Sequence, residues 1–387
     1  MKKNLLFLNH AKNIGGSVQS TKYLINFISK NYNVYLIQKE APIIKKRGLK
    51  YLKFNNLRLF HHTSFKYFNT FNFLFFFHIL SFVYEYLRLI IFFKKNKNLP
   101  VFDVVHINSM VLFPYCIIMR HFCKNIIFHI REYPPITYFN FRNRLIIYLC
   151  KLLKIKIIFI SKSSQINWFS NKFGDVIYNP YQISNISKKK NFLREKKLKV
   201  LLLGAVSRVK DPLKIFKYLL KYDYLKMQIY WYGGDFTKEQ NLLNKIINFF
   251  EKHFFDITYS SKCLKAITKF KNSKIYNKKL EYNLNKIYKN QYNFTIINHD
   301  RLHFSRSVIE AIISNIFVIC SNFCDGKQFI ELNKNGAVFE YGNESSFDKA
   351  FSTMLKKYKF KKSYYFILKK INTDFEKKIL LIYNKKI

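Results

Sequence analysis

The sequence predicts an α/β protein with two domains, each built on a parallel sheet covered by helices. The chain has 387 residues, too many for one ordinary core and suited to two domains of about 150 to 200 residues. Apolar residues make up 49% of it, which is sufficient to fill two cores. Short apolar runs alternate with longer helical patterns in both halves, and this alternation is typical of βαβ units.

A first Rossmann-like, doubly wound domain is predicted over residues 1–183. Its strands are predicted where the sequence is short, apolar and rich in β-branched residues, at 5–8, 34–38, 104–107, 126–130 and 157–160. Residues 184–197 are polar, rich in lysine and without an apolar period. They are therefore predicted to form a linker.

A second domain of the same kind is predicted over residues 198–365, with strands at 199–203, 227–231, 294–297 and 317–320. Asp211 is predicted to cap a helix whose first residue is Pro212. Residues 366–387 are predicted to form a basic C-terminal helix. Two doubly wound domains that face each other bring the carboxyl ends of their strands, and hence a ligand, to a central cleft.

The charge of the chain is strongly positive but does not favour a nucleic-acid partner. The formal net charge is +46, and 57 of the 68 basic residues are Lys. Bidentate recognition of phosphate or guanine favours Arg, and the sequence shows no recognition-helix or zinc-finger pattern. A surface this basic is expected to attract anionic lipid head groups and nucleotide diphosphates.

The cysteines and the N-terminal run predict a cytoplasmic protein. The six cysteines form no Cys-x-x-Cys pair and lie mostly in apolar runs, so they are interpreted as small core residues in a reducing compartment. The first apolar run ends at Asn9, which is too short for a signal peptide and is interpreted as a buried strand. No Asp-x-Asp motif and no His/Cys cluster with metal spacing is present in the sequence, so neither a metal nor a cofactor is expected.

Residues 71–93 are almost continuously apolar and aromatic, with Glu85 and Arg88 within the run. A helix packed on a sheet is the favoured interpretation. A helix in the membrane interface and a membrane-spanning helix are the alternatives, the last disfavoured by the two charges. Ten phenylalanines from Phe65 to Phe93, followed by Lys94, further predict a protein peripheral to the inner face of the cytoplasmic membrane, with aromatics reaching the interface.

The segment 300–326 carries the strongest functional pattern. An apolar strand runs into a short loop, Ser305 is predicted to cap the next helix, and Glu310 lies about one and a half turns inside it. A carboxylate there accepts hydrogen bonds from ribose hydroxyls, while the free N–H groups of the helix start face an anionic diphosphate. The alternative is an ordinary amphipathic helix with a solvated Glu310.

This segment resembles the retaining group 1 (family 4) glycosyltransferases of the GT-B fold. The matching residues are Phe304, Val308, Ile309, Glu310, Ala311, Val318, Ile319 and Gly326. Leu302 stands where the family has its first Glu, Ser305 replaces a Gly, Asn315 a turn Gly and Phe317 a Pro. Asn tolerates the left-handed conformation, whereas Leu302 cannot bind a sugar hydroxyl, so Asp300 is considered in its place.

Other runs resemble family elements in the same order along the chain. On the acceptor side, the resemblance implies binding roles for Gly15, Gly16, Asn108, Arg131 and Glu132, and a catalytic role for His129. The runs 160–163 and 178–180 match the steps that close the first domain.

On the donor side, the run from Gly204 to Asp211 resembles the loop that binds the donor phosphates. The resemblance implies that Lys210 and Arg208 neutralise the diphosphate as catalytic residues. It adds the glycine turn at Gly233 to a donor site that also holds Gly204, Lys210, Phe304, Ser305 and Glu310.

The function implied by the resemblance is glycosyl transfer from a nucleotide-sugar to a lipid-linked saccharide acceptor, in the biosynthesis of a bacterial surface polysaccharide such as lipopolysaccharide. The enzyme would be a retaining, metal-independent hexosyltransferase without a cofactor. Two alternatives remain open. One is a catalytically inactive GT-B relative that acts as a binding or scaffold subunit, suggested by Leu302; the other is a GT-B sugar-nucleotide epimerase.

Overall fold

The computed structural model describes residues 2–10, 16–38, 49–54, 57, 73–133, 141–168, 173–181, 197–204, 206–207, 209–233, 257–278, 287–288, 292–333, 335–357 and 365–384. It describes the backbone alone at 16–18, 73–79, 81, 141–142, 257–258, 260, 331–333 and 365–368. The chain divides into two compact units. The first is Met1–Gln182 with Lys369–Ile387, and the second is Ile183–Leu368.

The first unit contains a seven-stranded parallel sheet among its described residues. Its strands are β1 (Lys3–Asn9), β2 (Tyr32–Gln38), β3 (Leu49–Tyr51), β4 (Val104–Asn108), β5 (Ile126–Ile130), β6 (Lys156–Phe159) and β7 (Asp175–Val176). They lie in the order β3-β2-β1-β4-β5-β6-β7. The winding therefore reverses between β1 and β4, where Asn9 pairs with Asn108.

Helices cover both faces of this sheet. They are α1 (Gly16–Ile28), α2 (Phe73–Lys95), α3 (Phe113–Met119), α4 (Phe141–Leu152) and α5 (Lys162–Asn167). The side chains of β1 alternate between the two faces, as the pleat requires. Leu6 and Leu8 pack in one core with residues of α2, α3 and α4, and Leu5 and Phe7 pack in another with residues of α1.

The second unit repeats the plan with a six-stranded parallel sheet among its described residues. Its strands are β8 (Lys199–Leu203), β9 (Gln228–Tyr232), β10 (Lys274–Lys278), β11 (Phe294–Ile297), β12 (Phe317–Ser321) and β13 (Gly336–Phe339). Its helices are α6 (Pro212–Leu220), α7 (Ile257–Ile267), α8 (Arg306–Ile313), α9 (Lys327–Asn333) and α10 (Glu344–Lys357). The order β10-β9-β8-β11-β12-β13 reverses between β8 and β11.

The predicted fold class is confirmed, since both units are Rossmann-like parallel sheets covered by helices. The nine predicted strands correspond to β1, β2, β4, β5, β6, β8, β9, β11 and β12. The strands that the sequence did not predict are β3, β7, β10 and β13, the outermost strands of the two sheets. The predicted helix start is also confirmed, because the Asp211 side chain accepts a hydrogen bond from Lys214 N–H, 3.3 Å away, with Pro212 as the first helical residue.

The apolar segment 71–93 forms most of α2, and the favoured interpretation of a helix packed on a sheet is confirmed. Leu89 is fully buried in the core of the first unit. Glu85 is also fully buried and accepts hydrogen bonds from Tyr115 Oη at 2.5 Å and Arg88 Nη1 at 2.6 Å. Within the described residues, no helix has the length and apolar character that a membrane crossing requires.

Of the aromatic residues predicted to reach a membrane, the phenylalanines whose side chains the structure describes pack inward, whereas Tyr84 is 52% exposed. The membrane association itself stays a prediction. Phe82, Phe92 and Phe93 pack against the core of the first unit, and the Phe93 ring lies 4.6 Å from that of Phe122. They face inward because the helix must bury its aromatic side against the sheet. The side chains of the other seven, from Phe65 to Phe77, lie outside the description.

A last helix, α11 (Tyr365–Asn384), returns to the first unit. Phe375, Ile379, Ile382 and Tyr383 are buried in the core that also holds Phe7. All six cysteines are buried and unpaired, which agrees with their interpretation as small core residues.

Truncating Ile379 should destabilise the first unit, because its side chain is fully buried in that core. We expect Ile379→Ala to lower the free energy of unfolding by about 2 to 4 kcal/mol, measured by urea denaturation followed by the fluorescence of Trp168. Leu381→Ala on the same helix is the control, since Leu381 is 65% exposed. Equal losses in both variants would contradict the packing of α11 on this unit.

Candidate functional site

The candidate donor site lies where the winding of the second sheet reverses. In parallel sheets, the loops after the two strands at such a point leave the same edge and form a ligand-binding crevice. Here these are the loops after β8 and β11. They are tied together, since Asp300 N–H donates to the Val209 carbonyl at 2.9 Å and the Asn298 amide donates to the Asp211 carbonyl at 3.3 Å.

Gly204 begins the first of these loops in a conformation that favours glycine, with φ +140°. A Cβ atom built on it would lie 2.4 Å from Lys210 Cδ. The methylene chain of Lys210 therefore lies directly over the Gly204 backbone. A side chain at this position would displace the lysine.

Lys210 is half-buried, and its ammonium has no hydrogen-bond or ion-pair partner in the part of the chain that the structure describes. Burial lowers the pKa of Lys210, and the negative charge of Glu310 opposes that change. An incompletely solvated cation without a bonded partner is costly unless an anion approaches it. This environment suits a group that binds phosphate.

Glu310 projects from α8 into the same region. Its Oε1 accepts a hydrogen bond from Arg306 Nε at 3.1 Å, and both side chains are about nine-tenths buried. The alternative of a solvated Glu310 is therefore wrong. Its charge reaches Lys210, which brings together two residues that the sequence predicted in separate motifs.

Ser305 occupies the N-cap position of α8, but its side chain makes no capping hydrogen bond. The predicted capping role of Ser305 is therefore wrong: its backbone is extended, yet only its carbonyl is used, accepting from Val308 N–H at 3.2 Å. Ser305 and Phe304 are both buried. The first N–H groups of α8 are left without the side-chain acceptor that a capping Ser provides.

Two histidines that the sequence reasoning missed, His299 and His303, lie beside Lys210. Their ring centroids are 4.6 Å apart, and His299 Nδ1 is buried without a hydrogen-bond partner. Desolvation and the charge of Lys210 lower the pKa of His303 to about 4, while part of this residue remains exposed to solvent. Burial, His303 and Lys210 lower the pKa of His299. Both rings are thus neutral at physiological pH, and no local pattern in the sequence identifies them.

Asp300 does not replace the missing first Glu in the way considered from the sequence. Its two carboxylate oxygens accept hydrogen bonds from Arg301 Nε at 2.7 Å and Nη2 at 2.8 Å. The Asp300 carboxylate is therefore occupied by the Arg301 guanidinium. Leu302, two residues after Asp300, is half-buried and apolar.

Of the remaining donor-side residues, Gly233 lies at the same edge of the sheet, whereas Asn315 lies in the turn before β12, at the opposite edge. Gly233 follows β9 with φ +106°, and its N–H donates to the Lys278 carbonyl at 3.0 Å. Asn315 adopts the predicted left-handed conformation, with φ +56°. Arg208 lies outside the described residues.

The first unit gathers its predicted acceptor-side residues at the corresponding edge. Asn108 ends β4 and Arg131 follows β5. Arg131 donates from Nε to Asn108 Oδ1 at 2.5 Å and from Nη1 to Asn179 Oδ1 at 3.0 Å. Three runs that matched separate family elements are therefore joined by one side chain.

Glu132 holds the loop after β4 in place. It accepts hydrogen bonds from Ser109 Oγ, from Met110 N–H at 3.0 Å and from Arg131 N–H at 3.1 Å. The carboxylate is therefore used to build this edge. Gly16 is the first residue of α1, and Gly15 lies outside the described residues.

His129 does not occupy a position from which it could contact a substrate, contrary to its predicted catalytic role. Its ring is 1% exposed, neither ring nitrogen has a hydrogen-bond partner, and it lies 5.5 Å from the ring of His106. The reason is strand register. His129 points to the same face of the sheet as Phe7 of β1, and on that face the His106 ring stacks on the Phe7 ring at 4.6 Å. Burial and the charges of Arg131 and His106 lower the pKa of His129 well below its usual value.

No group of three or more His, Cys, Asp or Glu side chains suited to a metal ion occurs among the described residues.

Comparisons with known proteins identify the fold. No sequence-family profile matches the chain, and no curated protein matches it in sequence. Solved structures do match over almost the whole length. A glycosyltransferase from Rickettsia africae is 13% identical with a TM-score of 0.66, covering 99% of this chain and 98% of that one. HepE from Anabaena in complex with UDP-glucose is 12% identical with a TM-score of 0.62, covering 98% and 99%.

A third match is the lipopolysaccharide outer core galactosyltransferase WaaB in its apo form. It is 12% identical with a TM-score of 0.59, covering 98% of this chain and 97% of that one. Identities this low show the fold alone. Together with the two parallel sheets and their strand orders, they assign the chain the fold of the GT-B glycosyltransferases.

The buried histidines make stability depend on pH. Because burial lowers the pKa of His106 and His129 below the ordinary value of 6.5, the unfolded chain takes up protons first as pH falls. The free energy of unfolding should therefore be highest above about pH 7 and decrease below pH 6.5, by about 1.4 kcal/mol per pH unit for each such histidine. Urea denaturation from about pH 8 to about pH 5 measures the slope.

His129→Leu removes one titrating group and should reduce the slope of unfolding free energy against pH by about 1.4 kcal/mol per pH unit. His121→Gln is the matched control, since His121 is exposed, and should leave the slope unchanged. An unaltered slope in His129→Leu would mean that His129 is not held neutral in the folded protein.

Proposed function

We propose that this protein is a glycosyltransferase that takes a sugar from a nucleotide-sugar donor. The observation that carries the proposal is the ammonium of Lys210, half-buried and without a bonded partner among the described residues, at the edge where doubly wound sheets bind ligands. A diphosphate supplies the anion that this environment lacks.

The donor is proposed to lie across the loops after β8 and β11. Lys210, with Arg208, neutralises the charge that develops on the leaving diphosphate, and the open N–H groups of α8 add partial positive charge. The oxygen of Glu310 that Arg306 does not hold accepts from a ribose hydroxyl. Gly204 and Gly233 permit the close approach of the backbone to the donor, beside Phe304 and Ser305.

UDP-glucose is the first donor to test. HepE binds UDP-glucose in its crystal, and the donor loop of this chain lies in a sheet with the same strand order as a nucleotide-binding Rossmann unit. Retention of the anomeric configuration belongs to the same proposal because the family resemblance implies it. Independence of metal ions and cofactors is proposed because Lys210 and the α8 start supply positive charge at the diphosphate.

The acceptor is proposed to be a lipid-linked saccharide in the synthesis of a bacterial surface polysaccharide. The resemblance of the first unit's runs to the family supports this, as does the structural likeness to a lipopolysaccharide galactosyltransferase. Asn108 and Arg131, with Gly15, Gly16 and Glu132, form or support the acceptor-binding edge. His129 is assigned a positioning role through the packing beneath that edge.

Two other functions each have one observation in their favour. Leu302 removes a sugar-binding carboxylate, which favours an inactive binding or scaffold subunit. The neutral pair His299 and His303 beside Lys210 favours a sugar-nucleotide epimerase, which needs acid and base groups near the sugar. Incubation with a labelled UDP-sugar separates the three: a transferase releases UDP faster with acceptor, an epimerase changes the sugar, and a scaffold subunit does neither.

Removing the Lys210 amine should reduce turnover without unfolding the protein. Lys210→Ala breaks no ion pair among the described residues, so its melting temperature should be retained while the rate falls about 10- to 1000-fold. Lys217→Ala, which removes an exposed lysine of α6, is the control and should keep the wild-type rate. The assay is run with and without EDTA, and a normal rate in Lys210→Ala would remove this residue from the site.

Glu310→Gln should weaken donor binding by about 1.5 to 3 kcal/mol, because a hydrogen bond to a charged group is lost. Titration calorimetry with UDP measures the change. Arg306→Gln breaks the same ion pair but leaves the carboxylate, so it separates a ribose contact from loss of the pair. Unchanged UDP affinity in folded Glu310→Gln would show that the residue does not bind the donor.

A further inference from the structure

Exposed large apolar side chains are concentrated on the outer helices of one face of the first unit. On α2 they are Leu80, Val83, Tyr84, Leu87 and Ile91, and on α4 they are Leu145, Tyr148 and Leu152. In the described part of the second unit, only Tyr224 and Leu264 are of this kind. Scattered exposed residues need no explanation, but a row of them on neighbouring helices does.

The row on α2 is continuous because its members recur every three or four residues. Leu80 is 57% exposed, and Leu87 and Ile91 are each 52% exposed. The opposite side of α2 is buried by Leu89 and by the inward-facing Phe92. Helix α2 is thus apolar both on the side that packs against the core and on the side that is exposed to solvent.

The exposed rows of α2 and α4 belong to one layer. Both helices pack in the same core as α3, and α3 joins them: Tyr115 of α3 donates to Glu85 of α2, and Cys116 of α3 lies close enough to Cys150 of α4 to interact electrostatically. Ile117 of α3 is 36% exposed between them. We call the outward sides of α2, α3 and α4 the outer layer.

The charged groups of the outer layer are all basic. Between residues 73 and 102 and between 141 and 168, the only acidic residue is Glu85, which is fully buried and hydrogen-bonded. Exposed Lys94, Lys95 and Lys97 follow the row on α2, and exposed Arg144 and Lys151 flank the row on α4. The layer therefore offers apolar and basic groups with no exposed carboxylate among its described residues.

The combination of apolar and basic groups distinguishes two possible partners of the outer layer, a second copy of the chain and a membrane. In a symmetric dimer the outer layer would meet itself, and its lysines would face the lysines of the second copy without acidic partners. An anionic phospholipid surface offers phosphate groups to the basic residues and acyl chains to the apolar rows. Charge complementarity therefore favours the membrane.

We propose that the outer layer is the surface by which the protein docks on an anionic phospholipid membrane, with the row on α2 and the row on α4 entering the interface. The proposal rests on the proposed function in that a lipid-linked acceptor would be met at the surface where the first unit docks. It is tested separately from glycosyl transfer.

The experiment is co-sedimentation of the full chain with vesicles of phosphatidylcholine alone or with about 30% phosphatidylglycerol, at low salt and at about 0.5 M salt. Wild-type protein should bind the anionic vesicles and be largely released by salt. Leu87→Glu with Ile91→Glu should weaken binding about 10-fold or more, because it places charge in the inserted row and repels the lipid. Leu264→Glu in the second unit, at a residue 44% exposed, is the matched control and should bind as wild type does.

Two further measurements keep the outcomes distinct. The double variant should retain UDP affinity and the wild-type melting temperature, whereas Lys210→Ala should lose UDP binding and still sediment with vesicles. Wild-type binding by the folded double variant overturns the proposal, and so does a wild-type dimer in sedimentation velocity that the double variant abolishes. Absence of UDP binding in the wild type would refute the proposed function and leave the vesicle result standing.

Discussion

The candidate donor site depends on the link between the loops after β8 and β11. Both loops lie at one edge of the sheet because they follow parallel strands, but this shared position does not fix their side chains to within hydrogen-bonding precision. The bond from Asp300 N–H to the Val209 carbonyl does so, because it sets the residue before Lys210 against the segment that leads into α8. Together with the bond from the Asn298 amide to the Asp211 carbonyl, it positions the loop that carries Lys210 relative to the segment that leads to Glu310 on α8.

Hydrogen bonds to its side chain hold a strained residue at the end of the loop after β8. Asp211 has φ +35°, a left-handed conformation that costs a non-glycine residue about 1 to 2 kcal/mol. Its carboxylate accepts from Tyr259 and Tyr341 hydroxyls, each at 2.7 Å, and from Lys214 N–H. Since a hydrogen bond to a charged group contributes about 1.5 to 3 kcal/mol, these contacts offset the strain and hold the loop against α6.

The sequence revealed the interior of each sheet and missed its margins. A strand between two others in a parallel sheet is buried on both faces, so it reads as an apolar run such as residues 126–130. The outer strands lack that constraint: β10 is a polar strand with exposed ends, and β7 has two residues. No periodicity in the sequence distinguishes such segments from loops.

Motif matching placed Lys210 and Glu310 in one site, yet it misjudged residues whose role depends on direction. His129 lies at a strand end as predicted, but strand register turns its ring into the sheet face beside His106. Ser305 holds the N-cap position without the rotamer that caps. His299 and His303 were missed because only the fold of their loop brings both rings against Lys210. A local sequence pattern does not determine the direction of a side chain or its contacts with residues distant in the chain.

The two units have the same strand topology but carry different polar groups at the corresponding edges of their sheets. At the edge of the first, the described polar groups are joined to one another: Arg131 bridges Asn108 and Asn179, and Glu132 is occupied by Ser109 and backbone N–H groups. Such a network binds a ligand through shape and through the hydrogen-bonding edges it leaves. At the edge of the second, Lys210 lies near the carboxylate of Glu310 without a direct partner in the described residues. An anion gains most where a cation is partly desolvated and not already neutralised. The diphosphate of a nucleotide sugar is therefore better matched to the second unit, and the uncharged hydroxyls of a saccharide to the first.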